Sequence, residues 1–388
     1  MSVKKKLPFI VVIFKLFILF CFGCRNGDDS SVGIYTLKEV KKVQFPMDNE
    51  TSYRTFFTST FVDSAGREML VFLSQEKPSI QLFDIETQRL EKEILLIADG
   101  PNGVGSPSGL LLQSMDSIFV ISSTHYRVSM INSSGTLIRS YNLLEGENYN
   151  ENTGMLRPYT TSRPVKCGSK IYFNVAPDRD VYNPSYFEGA TSLVLDLVNG
   201  TASYFNTYPL EFKGGVWGVA SVNYSTTFNE SSELFVYSFA ISDSLTVFDL
   251  ESDLTKRVFA GSKSITADIK PMPVPENSYD LEYALETPYY GGVVYDEYRN
   301  VYYRFVRHAI SNKDSNGETN EFHEKPISII ILDKDFQRLG EVRLADNVFL
   351  DYIYFVSKDG LFVSNGNPEN KDLVEDFAVF SCFQLEKL

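Results

Sequence analysis

The chain has 388 residues, 43% of them hydrophobic and 14% aromatic, with a formal net charge of −14. That length and apolar content allow a large buried core. The acidic balance argues against a nucleic-acid partner, because phosphate binding needs a basic face.

Lys4, Lys5 and Lys6 open the chain, residues 7–22 are almost wholly apolar, and Gly23-Cys24 follows. A basic start, an apolar segment and a small residue before the cut read as a secretory signal peptide over 1–23. The apolar segment contains Lys15 and is short for a membrane span, which needs about 20 residues. Cys24 directly after Gly23 resembles the lipobox of bacterial lipoproteins, in which the cysteine is lipidated and becomes the first mature residue. Arg-Asn-Gly-Asp-Asp-Ser-Ser at 25–31 then suits a flexible tether over 24–34. These features predict a cell-envelope protein held to a membrane by lipid on Cys24. The outer membrane is the expected site, with the periplasmic or surface face left open.

From residue 35 onward the signals are those of strands and turns. Phe (30) and Tyr (23) are abundant, and short apolar runs alternate with Gly, Asn, Asp and Ser. Residues 101–141 spell out one four-stranded antiparallel blade: a Gly/Pro loop, then four strands separated by polar turns. Weaker copies recur. Third strands end in Asp84, Asn132, Asp196, Asp249 and Asp333, where the side chain can cap the following turn. Second strands begin at Glu68, Ser117, Ser169, Ser232, Arg299 and Lys358, which makes six. Repeats of this period indicate a propeller. The expected fold is all-β: a six-bladed β-propeller over 35–388, built from four-stranded antiparallel blades. The blades are placed at 52–97, 104–143, 158–208, 216–260, 288–345 and 347–365. The last is short of strands, and N- and C-terminal strands (35–43 and 377–385) are expected to complete it and close the ring. Residues 275–287 are the one candidate helix after the N-terminus. Residues 261–287 and 308–325 read as insertions, the latter a polar hairpin loop. Cys167 and Cys382 are expected as unpaired thiols.

The 101–141 blade resembles the NHL repeat, through Gly100-Pro101-Asn102-Gly103, Pro107-Ser108-Gly109 and His125-Tyr126-Arg127-Val128. Over its full length the chain resembles the six-bladed propeller lipoproteins of Bacteroidetes, in particular the DUF4221 family. The resemblance implies fold and location, and no activity.

Chemistry is harder to find. The three histidines, His125, His308 and His323, show no metal-ligand spacing, and no nucleophile motif is present. No catalytic residue, metal or cofactor is therefore assigned. Arg157, Tyr159, Arg163, Arg179, Tyr303, Arg304 and Arg307 lie near expected strand starts or loops. At a propeller mouth, arginine could hold a carboxylate and tyrosine could stack on sugar rings. Ser64, Ser117 and Ser244 sit in Asp-Ser-hydrophobic segments or their like, resembling O-glycosylation acceptors of Bacteroidetes. The expected function is a non-catalytic binding or scaffold module for an envelope protein or glycan. The alternative is an enzyme acting on a carbohydrate or lactone at the mouth, with carboxylates such as Asp178, Asp180, Asp296 and Glu297.

Overall fold

The computed structural model describes residues 34–145 and 153–388. The expected signal peptide, Cys24 and all of the expected tether but Ile34 lie outside the described residues. β1 (Tyr35–Pro46) opens the described chain. Blade one is β2 (Thr58–Val62), β3 (Glu68–Ser74), β4 (Ser79–Asp84) and β5 (Leu90–Leu95). Blade two is β6 (Gly109–Ser114), β7 (Ser117–Ser122), β8 (Arg127–Ile131) and β9 (Leu137–Asn142). Blade three is β10 (Gly154–Leu156), β11 (Val165–Cys167), β12 (Lys170–Pro177), β13 (Ala190–Asp196) and β14 (Ala202–Thr207). Blade four is β15 (Tyr224–Asn229), β16 (Leu234–Phe239), β17 (Ser244–Asp249) and β18 (Leu254–Phe259). Blade five is β19 (Tyr289–Asp296), β20 (Val301–Arg307), β21 (Ile327–Asp333) and β22 (Arg338–Arg343). Blade six is β23 (Leu350–Ser357), β24 (Gly360–Ser364) and β25 (Phe377–Lys387), with β1 as its outermost strand.

The six-bladed, almost wholly β architecture is thus as the repeats predict, and so is its closure by both ends of the described chain. β1 pairs with β25 antiparallel from Tyr35↔Lys387 to Pro46↔Phe377. The turn-capping reading holds in atomic detail. Asp84 Oδ1 accepts from the Thr87 N–H at 2.8 Å, and Asn132 Oδ1 from those of Ser134 and Thr136 at 3.0 Å. Asp196, Asp249 and Asp333 do the same for the residues two beyond them. The helix forms as α2 (Asn277–Glu286) and packs beside the one-turn α1 (Gly218–Ser221).

The core consists of layers between neighbouring blades. Second and third strands such as β3 and β4 are buried on both faces, because a blade covers each side. Outer strands such as β18 are mostly exposed. Between blades three and four the layer is aromatic: Tyr186, Phe187, Tyr208, Phe212, Trp217 and Phe239 meet there. Between blades six and one, Phe45 is fully buried, edge-on to Phe83 on one side and Phe380 on the other. Cys167 and Cys382 are free thiols on blades three and six.

Blade three departs from the simple repeat. Its innermost strand is in two pieces, β10 and β11, which pair with opposite ends of the same edge of β12. The eight residues between them, Arg157-Pro-Tyr-Thr-Thr-Ser-Arg-Pro164, leave the sheet and enter the central channel. Pro158 and Pro164 bracket this loop, and neither has an N–H to give to a ladder.

Candidate functional site

The loop 157–164 is tied to the walls of the channel on several sides. The Thr160 N–H donates to the Phe56 carbonyl at 2.9 Å, and Thr160 Oγ1 accepts from the Thr58 N–H at 2.8 Å. The Thr161 carbonyl accepts from the Thr226 N–H and from Ser225 Oγ, at 2.8 and 2.7 Å. Ser225 Oγ in turn accepts from the Val293 N–H at 2.8 Å. Arg163 donates to the Thr58 carbonyl at 2.8 Å and the Tyr354 carbonyl at 2.6 Å. Blade two approaches so closely that a Cβ on Gly109 would stand 2.3 Å from the Pro158 carbonyl oxygen. This accounts for the glycine of the Pro107-Ser108-Gly109 motif: only a residue without a side chain fits against the loop. Thr160→Val is expected to cost about 1–3 kcal/mol in urea unfolding, because it strands the buried Thr58 N–H.

The loop divides the channel. Above it, where the innermost strands begin, is a chamber of about 870 Å³. Below it is a second chamber of about 830 Å³. Arg157, Tyr159, Thr161 and Ser162 line the upper chamber, and Thr160, Arg163 and Lys166 line the lower one. Each is therefore blind at the loop.

The upper chamber has an apolar mouth. Phe56, Met155, Val219 and Leu281 line it and are 57, 40, 44 and 45% exposed. Val219 comes from α1 and Leu281 from α2, so the insertion before blade five builds part of the rim. Asp280 fixes the two helices together, accepting from the Val219 N–H at 2.8 Å. Inside, Tyr289, Tyr290, Phe322 and Tyr352 add aromatic wall. Phe322 belongs to the 308–325 insertion and stacks on Tyr289 at 5.6 Å.

Two arginines reach this chamber in different states. Arg307 is buried against Asp351: Nε donates to Oδ2 at 2.8 Å, Nη2 donates to Oδ1, and Nη1 donates to the Phe322 carbonyl at 3.0 Å. Burial opposes its charge, but Asp351 and Tyr289 more than offset this and raise its pKa. Arg157 has no such partner among the described residues. It meets neutral groups only, Tyr159 Oη and Asn223 Oδ1 at 3.5 Å and the Tyr186 hydroxyl, and its buried Nε meets no acceptor. Tyr159 lies near both Arg157 and Phe56, with the guanidinium 5.8 Å and the Phe56 ring 6.3 Å from its own ring.

The remaining arginine and tyrosine candidates lie elsewhere. Arg163 faces the lower chamber, where desolvation lowers its pKa. Arg179 is in the β12–β13 connection and donates to the Ser185 carbonyl at 2.7 Å. Tyr303 and Arg304 are fully buried within β20. Tyr303 Oη donates to Asp296 at 3.1 Å. Arg304 donates to Ser238 Oγ and to the carbonyls of Ser242, Asp243 and Ala260, and lies 3.8 Å from the Tyr290 ring. Both serve the blade interface, and neither lines a chamber. Strand position alone suggested a mouth, but β20 is a second strand, covered on both faces.

The carboxylates are dispersed. Asp178 and Asp180 are exposed in the β12–β13 connection, Asp296 is buried at the β19–β20 turn, and Glu297 lines the lower chamber. Burial, together with Glu230 and Asp296, raises the pKa of Glu297. Among the described residues no three His, Cys, Asp or Glu side chains converge as metal ligands. Ser64 is exposed in the β2–β3 turn, whereas Ser117 and Ser244 are half-buried at the starts of β7 and β17. Sequence reasoning found Arg157 and Tyr159 but missed Phe56, Phe322 and the Arg307–Asp351 pairing. Lys325 was also missed. It is buried, donates to the carbonyls of Ala284, Leu285 and Thr287 at the end of α2, and burial lowers its pKa to about 7.

Fold and channel define a six-bladed β-propeller whose axial channel is closed midway by a loop from its third blade. Its lineage follows from comparison: the chain belongs to the DUF4221 family, a domain of unknown function whose sequence profile matches residues 35–343. A crystal structure of a member of that family from Bacteroides vulgatus is 28% identical, with a TM-score of 0.79 over 92% of this chain and 99% of that one. A "Putative exported protein" from Bacteroides fragilis shares the fold at 12% identity and a TM-score of 0.53, covering 93% of this chain and 97% of that one. No curated protein matches the chain. Among the described residues, no helix is long and apolar enough to cross a membrane.

Proposed function

We propose that the protein is a lipid-anchored, non-catalytic binding module of the cell envelope, which receives a protein or glycan partner at the upper mouth. One observation carries this reading: a blind chamber of about 870 Å³ opens through a rim of exposed apolar side chains. Pockets of roughly 300–1,000 Å³ with mostly apolar walls and a few polar groups are typical ligand sites. Four exposed apolar side chains at one opening also fit an interaction surface. The anchor rests on Lys4–Lys6, the apolar run 7–22 and Gly23-Cys24.

Photo-crosslinking residues placed in turn at Phe56, Leu281 and, as a control, Leu254 on β18 test the mouth in living cells. The reading requires one partner at near-stoichiometric yield from Phe56 and Leu281 and none from Leu254. Capture from Leu254 alone would place the contact on the outer strands and remove the proposal. The anchor is tested separately: Cys24→Ala should move the protein from the membrane to the soluble fraction, and unchanged fractionation would refute lipidation.

A further inference from the structure

The state of Arg157 says what kind of group the chamber takes. Arg157 is the first residue of the loop that closes the chamber; its Nε is buried and lacks an acceptor, and its guanidinium meets only neutral groups, Tyr159 Oη and Asn223 Oδ1 at 3.5 Å and the Tyr186 hydroxyl. Burying part of a guanidinium without acceptors is costly, so the position is stabilised by whatever supplies them. Arg307, the other cation lining this chamber, is already neutralised by Asp351. Asp280 also lines the chamber, but from α2, where it accepts from the Val219 N–H, so Arg157 is the one cation of the lining without a carboxylate partner. The rim above it is apolar: Phe56, Met155, Val219 and Leu281.

We infer that the upper chamber binds the C-terminal end of a partner polypeptide, with the terminal carboxylate on Arg157 and apolar side chains of the last residues against the rim. This rests on the reading that the upper mouth is the binding site. Three features select this occupant. The chamber is blind, so it suits the end of a chain and not a segment passing through. A planar guanidinium matches a carboxylate with two parallel hydrogen bonds. Finally, the protein carries a net charge of −14, which repels a polyacidic ligand at long range. A single carboxylate on an otherwise apolar end avoids that repulsion. Capture of chain-terminal carboxylates is an established mode of peptide recognition.

The test uses the full-length protein and short fluorescent peptides, labelled at the N-terminus and ending in Leu, Met or Phe. Each is made as the free C-terminal acid and as the C-terminal amide, and binding is read by anisotropy. The best acids should bind about tenfold or more tightly than their amides, the effect of losing charge-assisted hydrogen bonds. Arg157→Gln should abolish that difference, and Arg157→Lys should keep part of it. An unchanged thermal melt for both variants would show that the fold is intact, as the weak native contacts of Arg157 lead one to expect. Equal binding of acid and amide, a difference that survives Arg157→Gln, or no binding by any peptide would overturn the inference. Should the peptides fail while crosslinkers at Phe56 and Leu281 still capture a partner, only the assignment of a chain-terminal carboxylate falls, and the mouth stands.

Discussion

Asp351→Ala is expected to destabilise the protein by about 3–5 kcal/mol, measured as a lowered urea midpoint at neutral pH. The Arg307 side chain is 3% exposed and that of Asp351 6%, so solvent cannot replace the lost carboxylate. The substitution leaves a guanidinium inside the wall of blade five with one remaining acceptor, the Phe322 carbonyl. Most of the loss is the penalty of that stranded charge and not the worth of the pair itself. A double variant, Arg307→Met with Asp351→Leu, should therefore recover much of the stability. If the double variant is no more stable than Asp351→Ala, the pair contributes through geometry that an apolar substitute cannot supply.

Phe45→Ala is expected to cost about 3–5 kcal/mol, the range for deleting a fully buried aromatic side chain. Phe45 lies on β1, which reaches its place only by pairing with β25 at the other end of the chain. Its ring is edge-on to Phe83 of blade one and Phe380 of blade six, at 5.5 and 6.0 Å. The cavity would open at the seam of the ring, where no peptide connection holds the neighbouring blades beyond the single passage from Pro46 to Thr58. Val40→Ala on the same strand is the control: Val40 is 43% exposed, and the change should stay within about 0.5 kcal/mol. Comparable losses in both variants would mean that β1 acts through its backbone pairing alone.

The blades were legible because their signals are local. Asp84, Asn132 and Asp249 each cap a turn within a few residues of themselves, and the apolar run before each is a single strand. The closure was legible because blade six lacked strands and both ends of the chain offered them. The channel loop was not. Arg157, Tyr159 and Arg163 stood out only as arginines and tyrosines near a strand, although Pro158 and Pro164 mark the break in β10–β11. The acceptors of Arg163 lie on blades one and six, and Asn223 meets Arg157 from just before blade four, all far away in sequence, so nothing nearby reveals them. Arg304 and Arg307 show the same limit. Three residues apart on one strand, they point to opposite faces, and only the fold decides that carbonyls await one and Asp351 the other. Phe322 came from an insertion whose polarity suggested a solvent loop.

β1 runs antiparallel to β25, and β25 to β24, while β24 runs antiparallel to the innermost strand β23. The first described residues therefore stand at the lower face, where the Leu388 N–H also meets the Ile34 carbonyl at 3.0 Å. Anything fastened to either end pulls from that side. A tether joined there leaves from the face opposite the apolar cup and does not have to pass its opening. An epitope or fluorophore joined after Leu388 would likewise leave from the lower face, clear of that opening.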